Sequence, residues 1–178
     1  MEHALKIIAS HKRALIIDIT FVLAIIFLPS LSHLLAVPLY RLEPMRMLLV
    51  LALPFTSRGN AYLLALILPL ASFLTSGHPY PAKAVLMTGE LLVNVWLFWW
   101  LMRRFSRPLG AMLGAITFSK LGYYLAKLAL IQLAVLGPPL ISTPLWIQGL
   151  LAIVFSLYIF IVYSRFISEP PESAVKPI

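Results

Sequence analysis

The sequence predicts an all-α fold, a polytopic integral membrane bundle of about six transmembrane helices with short second and third spans. Hydrophobic residues make up 61% of the 178 residues and charged residues only 11%, whereas a soluble domain carries about 25% charged residues. A soluble fold of this size could not bury so much apolar surface, so lipid must cover part of it. We expect residues 1–167 to form one transmembrane domain and residues 168–178 a disordered cytoplasmic tail.

Six apolar runs follow one another along the chain, separated by stretches rich in proline, glycine and charge. The predicted spans cover residues 14–31, 45–55, 61–74, 84–102, 109–136 and 145–166. Arg58-Gly59-Asn60 is interpreted as a turn between the second and third spans. About fourteen helical residues reach about 21 Å, whereas the hydrocarbon core is about 30 Å thick. These two spans therefore either extend into their flanks or form a re-entrant hairpin.

The distribution of lysine and arginine predicts that both termini face the cytoplasm. With six crossings, three basic residues fall outside: Arg41, Arg46 and Lys83. Nine fall on cytoplasmic segments: Lys6, Lys12, Arg13, Arg58, Arg103, Arg104, Arg107, Arg165 and Lys176. Membrane topology therefore explains the net charge of +8. Nucleic-acid binding would need a basic face on a soluble surface, and none is predicted.

The sequence offers no cofactor or metal motif. It contains no cysteine, which excludes disulfides, thiolate metal sites and a cysteine nucleophile. It also lacks a Walker loop, a dinucleotide fingerprint and zinc-ligand spacing. No catalytic residue, cofactor or metal ligand is therefore predicted.

Polar residues inside the predicted spans are functional candidates, because burying them in lipid is costly. Glu90 and Asn94 are four residues apart, which places them on one face of the fourth span. Glu90 either ties this helix to a lysine or arginine of another helix, or lines a ligand pocket.

A second polar set forms one stripe along the fifth span. Lys120, Tyr123, Tyr124 and Lys127 have helical spacing. The stripe could form the wall of a ligand cavity, with tyrosines stacking and lysines holding an anionic group. In the alternative, Lys120 pairs with a carboxylate and Lys127 extends its ammonium toward the membrane surface.

Two further residues complete the predicted ligand site. Arg46 lies at the start of the second span, after Glu43 and Pro44, where it could meet Glu90 or a substrate. Glu43 itself is interpreted as a favourable charge at the helix N-terminus. His78, in the loop after the third span, could bind a ligand or be structural. Because Arg46, Lys120 and Lys127 outnumber Glu90, the predicted ligand carries a carboxylate or phosphate. The full ligand-binding set is Arg46, His78, Glu90, Asn94, Lys120, Tyr123, Tyr124 and Lys127.

Small residues on the fifth span predict close helix packing. Gly110 with Gly114, and Ala111 with Ala115, are four residues apart, and small residues at this spacing let another helix approach closely. They serve either packing within the chain or docking of a partner subunit.

The layout of residues 40–100 resembles the substrate-binding S component of energy-coupling-factor vitamin transporters. The resemblance rests on Leu42-Glu43-Pro44-Met45-Arg46, Arg58-Gly59-Asn60, Ser76-Gly77-His78-Pro79 and Glu90-Leu91. It implies a multi-pass protein of the bacterial cytoplasmic membrane that binds a vitamin or similar small molecule from outside. It also implies that a transmembrane coupling subunit and two ATPases supply the energy for uptake. The Ala-xxx-Ala docking pattern that the family often shows in its first span is lacking in residues 14–31.

Two other functions are alternatives to a transporter subunit. The size and layout also resemble the MreD cell-shape membrane protein, a scaffold without transport activity. An intramembrane enzyme is a second alternative, for which Glu90 with His78 would be the acid–base pair. No nucleophile–base pair or metal-ligand set occurs at a suitable spacing, so the protein is not predicted to be an enzyme.

Overall fold

All secondary structure that a computed structural model of the protein describes is helical. The described residues are 16, 19–24, 26–27, 42–77 and 79–166. Five helices have defined bounds, and residues 19–24 are helical as well. The five are α1 (Pro44–Ala52), α2 (Arg58–Ser76), α3 (Pro81–Phe105), α4 (Pro108–Gln132) and α5 (Leu145–Phe166). The all-α class is therefore confirmed, while much of the first predicted span, His78 and the predicted tail 168–178 lie outside the described residues.

Three of the described helices are long and apolar enough to cross a membrane. They correspond to Arg58–Thr75, Pro81–Phe105 and Leu145–Arg165. Helix α4 is as long as α3, at 25 residues, but Lys120 and Lys127 interrupt its apolar sequence. These helices fit a membrane protein, and six crossings remain a prediction.

The prediction of a short third span is wrong. Helix α2 contains 19 residues, because Arg58, Gly59 and Asn60 form its first turn and not a separate turn before it. The Ser57 hydroxyl caps this turn by accepting a hydrogen bond from the Asn60 backbone N–H at 3.2 Å, as serine commonly does at a helix start. The helix ends at Gly77, whose φ of 67° is the left-handed conformation that favours glycine.

Helix α1 is short, and most of its residues are buried. Its nine residues reach about 13 Å, which is less than half of a hydrocarbon core of about 30 Å. Its start lies beside the middle of α4, where Lys120 contacts Glu43. Its other end is tied to α5, since the Tyr158 hydroxyl donates to the Leu51 carbonyl at 3.0 Å. Helix α1 is therefore a half-length helix enclosed by longer ones.

The small residues of α4 pack within the chain. Ala111 and Ala115 are buried in the core, and a Cβ atom added to Gly114 would lie 3.0 Å from Leu101 Cδ1 of α3. Gly110, in contrast, is exposed. Three of the four residues predicted to allow partner docking thus have an intramolecular role, and docking of a partner through this stripe remains a prediction.

Replacing Gly114 with leucine should lower the free energy of unfolding by about 1–3 kcal/mol, since the larger side chain would push α3 and α4 apart. The matched control is Gly110→Leu on the same helix, where an added Cβ meets no atom within 4 Å. Denaturation by sodium dodecyl sulfate in mixed micelles measures both variants. Equal losses for the two variants would show that the Gly114 contact does not stabilise the helix pair.

Candidate functional site

Four charged side chains meet between α1, α3 and α4. Glu43 lies just before α1, Arg46 in its first turn, Glu90 in α3 and Lys120 in α4. Arg46 Nη1 donates to Glu43 Oε2 at 2.7 Å, and Arg46 Nη2 donates to Glu90 Oε1. Lys120 Nζ donates to the other Glu43 oxygen, Oε1. These residues, which we call the charged quartet, form a continuous chain of ion pairs from Glu90 through Arg46 and Glu43 to Lys120.

The charged quartet is largely buried and electrically neutral. The exposed fraction is 3% for the Arg46 side chain, 9% for Glu90, 16% for Glu43 and 17% for Lys120. Charges removed from water are tolerated when they are paired and hydrogen-bonded. Two cations balance two carboxylates here, so the site has no excess positive charge.

Glu43 has a different role in the structure from the one that its place before Pro44 predicts. Its side chain makes no capping hydrogen bond to the start of α1, and both carboxylate oxygens bind cations instead. Its backbone is left-handed, at φ 50° and ψ 57°, which is uncommon for a residue with a branched or long side chain. A count of charges inside the bundle could have found it, because Arg46 and Lys120 need two carboxylates and Glu90 provides one.

Asn94 extends the polar region by one turn along α3. It is fully buried, and its Nδ2 donates to the Ser119 hydroxyl at 3.2 Å. That hydroxyl donates in turn to the Ile116 carbonyl at 3.1 Å. Within the described part of the chain, Asn94 Oδ1 and Arg46 Nε are buried without a hydrogen-bond partner. An acceptor and a donor are thus left unused at or next to the charged quartet, and leaving such groups buried is costly.

Two tyrosines of α4 extend the polar region toward α5, and both lie close enough to the charged quartet to interact electrostatically with Glu43 and Glu90. The Tyr124 hydroxyl donates to Gln148 Oε1 at 2.7 Å, and Gln148 Nε2 donates to the Thr143 carbonyl at 2.6 Å. The Tyr123 ring packs edge-on against Tyr124, with ring centroids 5.4 Å apart. This network fastens α4 to the start of α5.

Lys127 holds the loop between α4 and α5. Its Nζ donates to the carbonyl oxygens of Pro139 at 2.9 Å and Leu140 at 2.8 Å, and to the Ser142 hydroxyl at 3.3 Å. An ammonium group has three donors, so all of them are used. Lys127, which is 4% exposed, therefore has partners in the chain itself.

The structure brings together some of the predicted ligand-binding residues and separates others. Arg46, Glu90 and Lys120 share the charged quartet, and Asn94 lies next to it. Lys127 binds the α4–α5 loop, Tyr124 binds Gln148 of α5 and Tyr123 packs against Tyr124. His78 lies outside the described residues. Ligand binding by any of them remains a prediction. The described residues contain no group of three or more side chains that could hold a metal ion.

No protein-family model matches the chain, and no match was found among curated proteins or solved structures.

Proposed function

We propose that this chain is the ligand-binding membrane subunit of a small-molecule uptake transporter, similar to the S component of energy-coupling-factor transporters. The observation that carries the proposal is the charged quartet. Charged residues within membrane helices are rare and expensive, and they commonly mark ligand or ion pathways. Four of them converge here from three parts of the bundle.

The unused hydrogen-bonding groups favour a ligand site over a simple tie between helices. One carboxylate and one cation suffice to join two helices. The quartet contains two of each, and Arg46 Nε and Asn94 Oδ1 still have no partner among the described residues. A ligand that carries both an acceptor and a donor would satisfy these two groups.

The half-length helix also supports this function. Transporter sites often form at discontinuous helices, whose positive N-terminal ends favour anionic groups of the substrate. Helix α1 is nine residues long and begins at the charged quartet. Its start thus adds a partial positive charge to the site.

The wider proposal follows the resemblance of residues 40–100. The protein would lie in the bacterial cytoplasmic membrane with both termini in the cytoplasm, and the ligand would enter from outside. The sequence has no ATPase motif, so a transmembrane coupling subunit and ATPases would supply the energy.

One observation favours a second candidate function, an MreD-like membrane scaffold. Each member of the charged quartet has an oppositely charged partner, as a purely structural network requires. A scaffold would bind partner proteins through its surfaces and retain no small molecule.

The two functions differ in what the purified protein retains. We expect native mass spectrometry of the gently purified chain to show a bound small molecule, and a vitamin panel to contain a compound that raises the melting temperature. Lys120→Gln should weaken binding of that compound about 10- to 100-fold, because it removes a charged hydrogen-bond donor.

The matched control is Arg104→Gln, which removes an exposed cation at the end of α3 and should leave binding unchanged. If nothing is retained and no compound shifts the melting temperature, the transporter function is wrong. The scaffold then gains support if Lys120→Gln changes partner pull-down.

A further inference from the structure

We propose that Glu43 occupies, in the ligand-free protein, the position that a carboxylate of the ligand takes on binding. The ligand class is therefore a small molecule with one carboxylate, which enters the site by displacing the Glu43 side chain. This inference rests on the proposed ligand-binding function and names its substrate class.

The contacts of Glu43 are those of a bound carboxylate. Its two oxygens bind different cations from different helices, Arg46 of α1 and Lys120 of α4. Arginine and lysine bind free carboxylates in the same way, through charged hydrogen bonds with defined geometry. Glu90 differs, because among the described residues it forms an ion pair only with Arg46.

Glu43 is also the carboxylate that is free to leave. Glu90 is held in the interior of α3, a helix of 25 residues. Glu43 lies outside any helix, before α1, with a left-handed backbone and no capping hydrogen bond. A rotation at this one position would withdraw its side chain, and relaxing an unfavourable backbone conformation would offset part of the energetic cost.

The charge balance requires that a ligand carboxylate replace the Glu43 carboxylate and not bind in addition to it. The charged quartet is neutral, so an added anion would give it a net negative charge in a buried site. Exchange of one carboxylate for another keeps it neutral, and it leaves Arg46 and Lys120 paired throughout. A doubly charged phosphate would not preserve this balance.

The test compares two variants that remove the same charge at different positions. Butyrate serves as the probe, with butyramide as its uncharged counterpart, and binding to the full-length chain in detergent is measured from the melting temperature at increasing probe concentration. We expect Glu43→Gln to bind butyrate about tenfold more tightly than the natural protein, because the competing carboxylate is gone. Glu90→Gln raises the site charge equally but leaves Glu43 in place, so its gain should be smaller.

Three results would overturn the inference. They are an unchanged butyrate affinity in Glu43→Gln, an equal gain in Glu90→Gln, and an equal gain for butyramide. If Glu43→Gln does not fold, Glu43→Asp replaces it. Its side chain is one methylene shorter, so we expect weaker contacts with the two cations and butyrate binding about threefold tighter. No gain would again overturn the inference.

The result also separates this inference from the proposed function. Suppose that a vitamin raises the melting temperature of the natural protein but Glu43→Gln binds butyrate no more tightly. The proposed function would then be retained and the role of Glu43 rejected. Tighter butyrate binding by Glu43→Gln, together with no vitamin of the panel that raises the melting temperature of the natural protein, would retain the role of Glu43 and reject the proposed function.

Discussion

Replacing Arg46 with methionine is expected to lower the free energy of unfolding by about 3–5 kcal/mol, the range for removing one partner of a buried ion pair. Arg46 lies between Glu43 and Glu90 and is 3% exposed. Without it, two carboxylates share one remaining cation, Lys120, inside the bundle. Methionine fills a similar volume, so the loss reflects the missing charge more than a cavity. Chemical denaturation in mixed micelles gives the free energy.

A second substitution tests whether charge is the cause. Arg46→Met combined with Glu90→Gln removes one cation and one carboxylate, so the site is neutral again and part of the stability should return. Arg104→Met removes an exposed arginine and should change stability by less than about 0.5 kcal/mol. A loss in Arg46→Met as small as that of Arg104→Met would contradict a stabilising role for the charged quartet.

The charged quartet and the short helix α1 depend on each other. A helix that starts inside a bundle exposes backbone N–H groups where water is scarce, and these groups favour negative charge. Glu43 places a negative charge near this start without capping it, since its two oxygens bind two cations. Arg46 and Lys120 are these cations, so the start of α1 and the charged quartet stabilise one another.

The sequence predicted α3 and α5 well, because their signals are local, whereas α4 ends at residue 132 and not at the predicted 136. Helix α5 begins and ends as predicted, at residues 145 and 166, and α3 extends the predicted 84–102 by three residues at each end. Apolar composition and flanking prolines suffice for such boundaries. The start of α2 was missed because Gly59 indicated a turn, whereas the Ser57 cap makes Gly59 part of the helix.

The candidate site was predicted only in part, since its remaining features depend on contacts between distant residues. Helical spacing placed Glu90 beside Asn94, and the cost of burial indicated a partner for Glu90. Nothing in the local sequence shows that Glu43 reaches Lys120, which lies 77 positions later. The partners of Lys127 could not be predicted for a similar reason, since every residue has a backbone carbonyl and the sequence does not show which ones a lysine contacts.

Lys127→Met is expected to destabilise the loop between α4 and α5 locally. The stability of the rest of the protein should change much less. The lysine ammonium donates to Pro139, Leu140 and Ser142, and methionine has no donor to replace it. The loop is largely exposed, so water can hydrate the freed oxygens and the loss should remain local. We expect the free energy of local opening to fall by about 1.5–3 kcal/mol, the contribution of charged hydrogen bonds.

Hydrogen–deuterium exchange measures this opening at the loop backbone amides of Val135 and Leu136, which donate to the Leu130 carbonyl and should exchange at least about tenfold faster. Arg104→Met, at the end of α3, removes an exposed cation and should leave these amides unchanged. Lys127→Arg keeps the charge and the donors, so it should protect the loop better than methionine does. Equal exchange in Lys127→Met and the natural protein would show that the loop holds its shape without the ammonium, and Lys127 would then be free to bind a ligand.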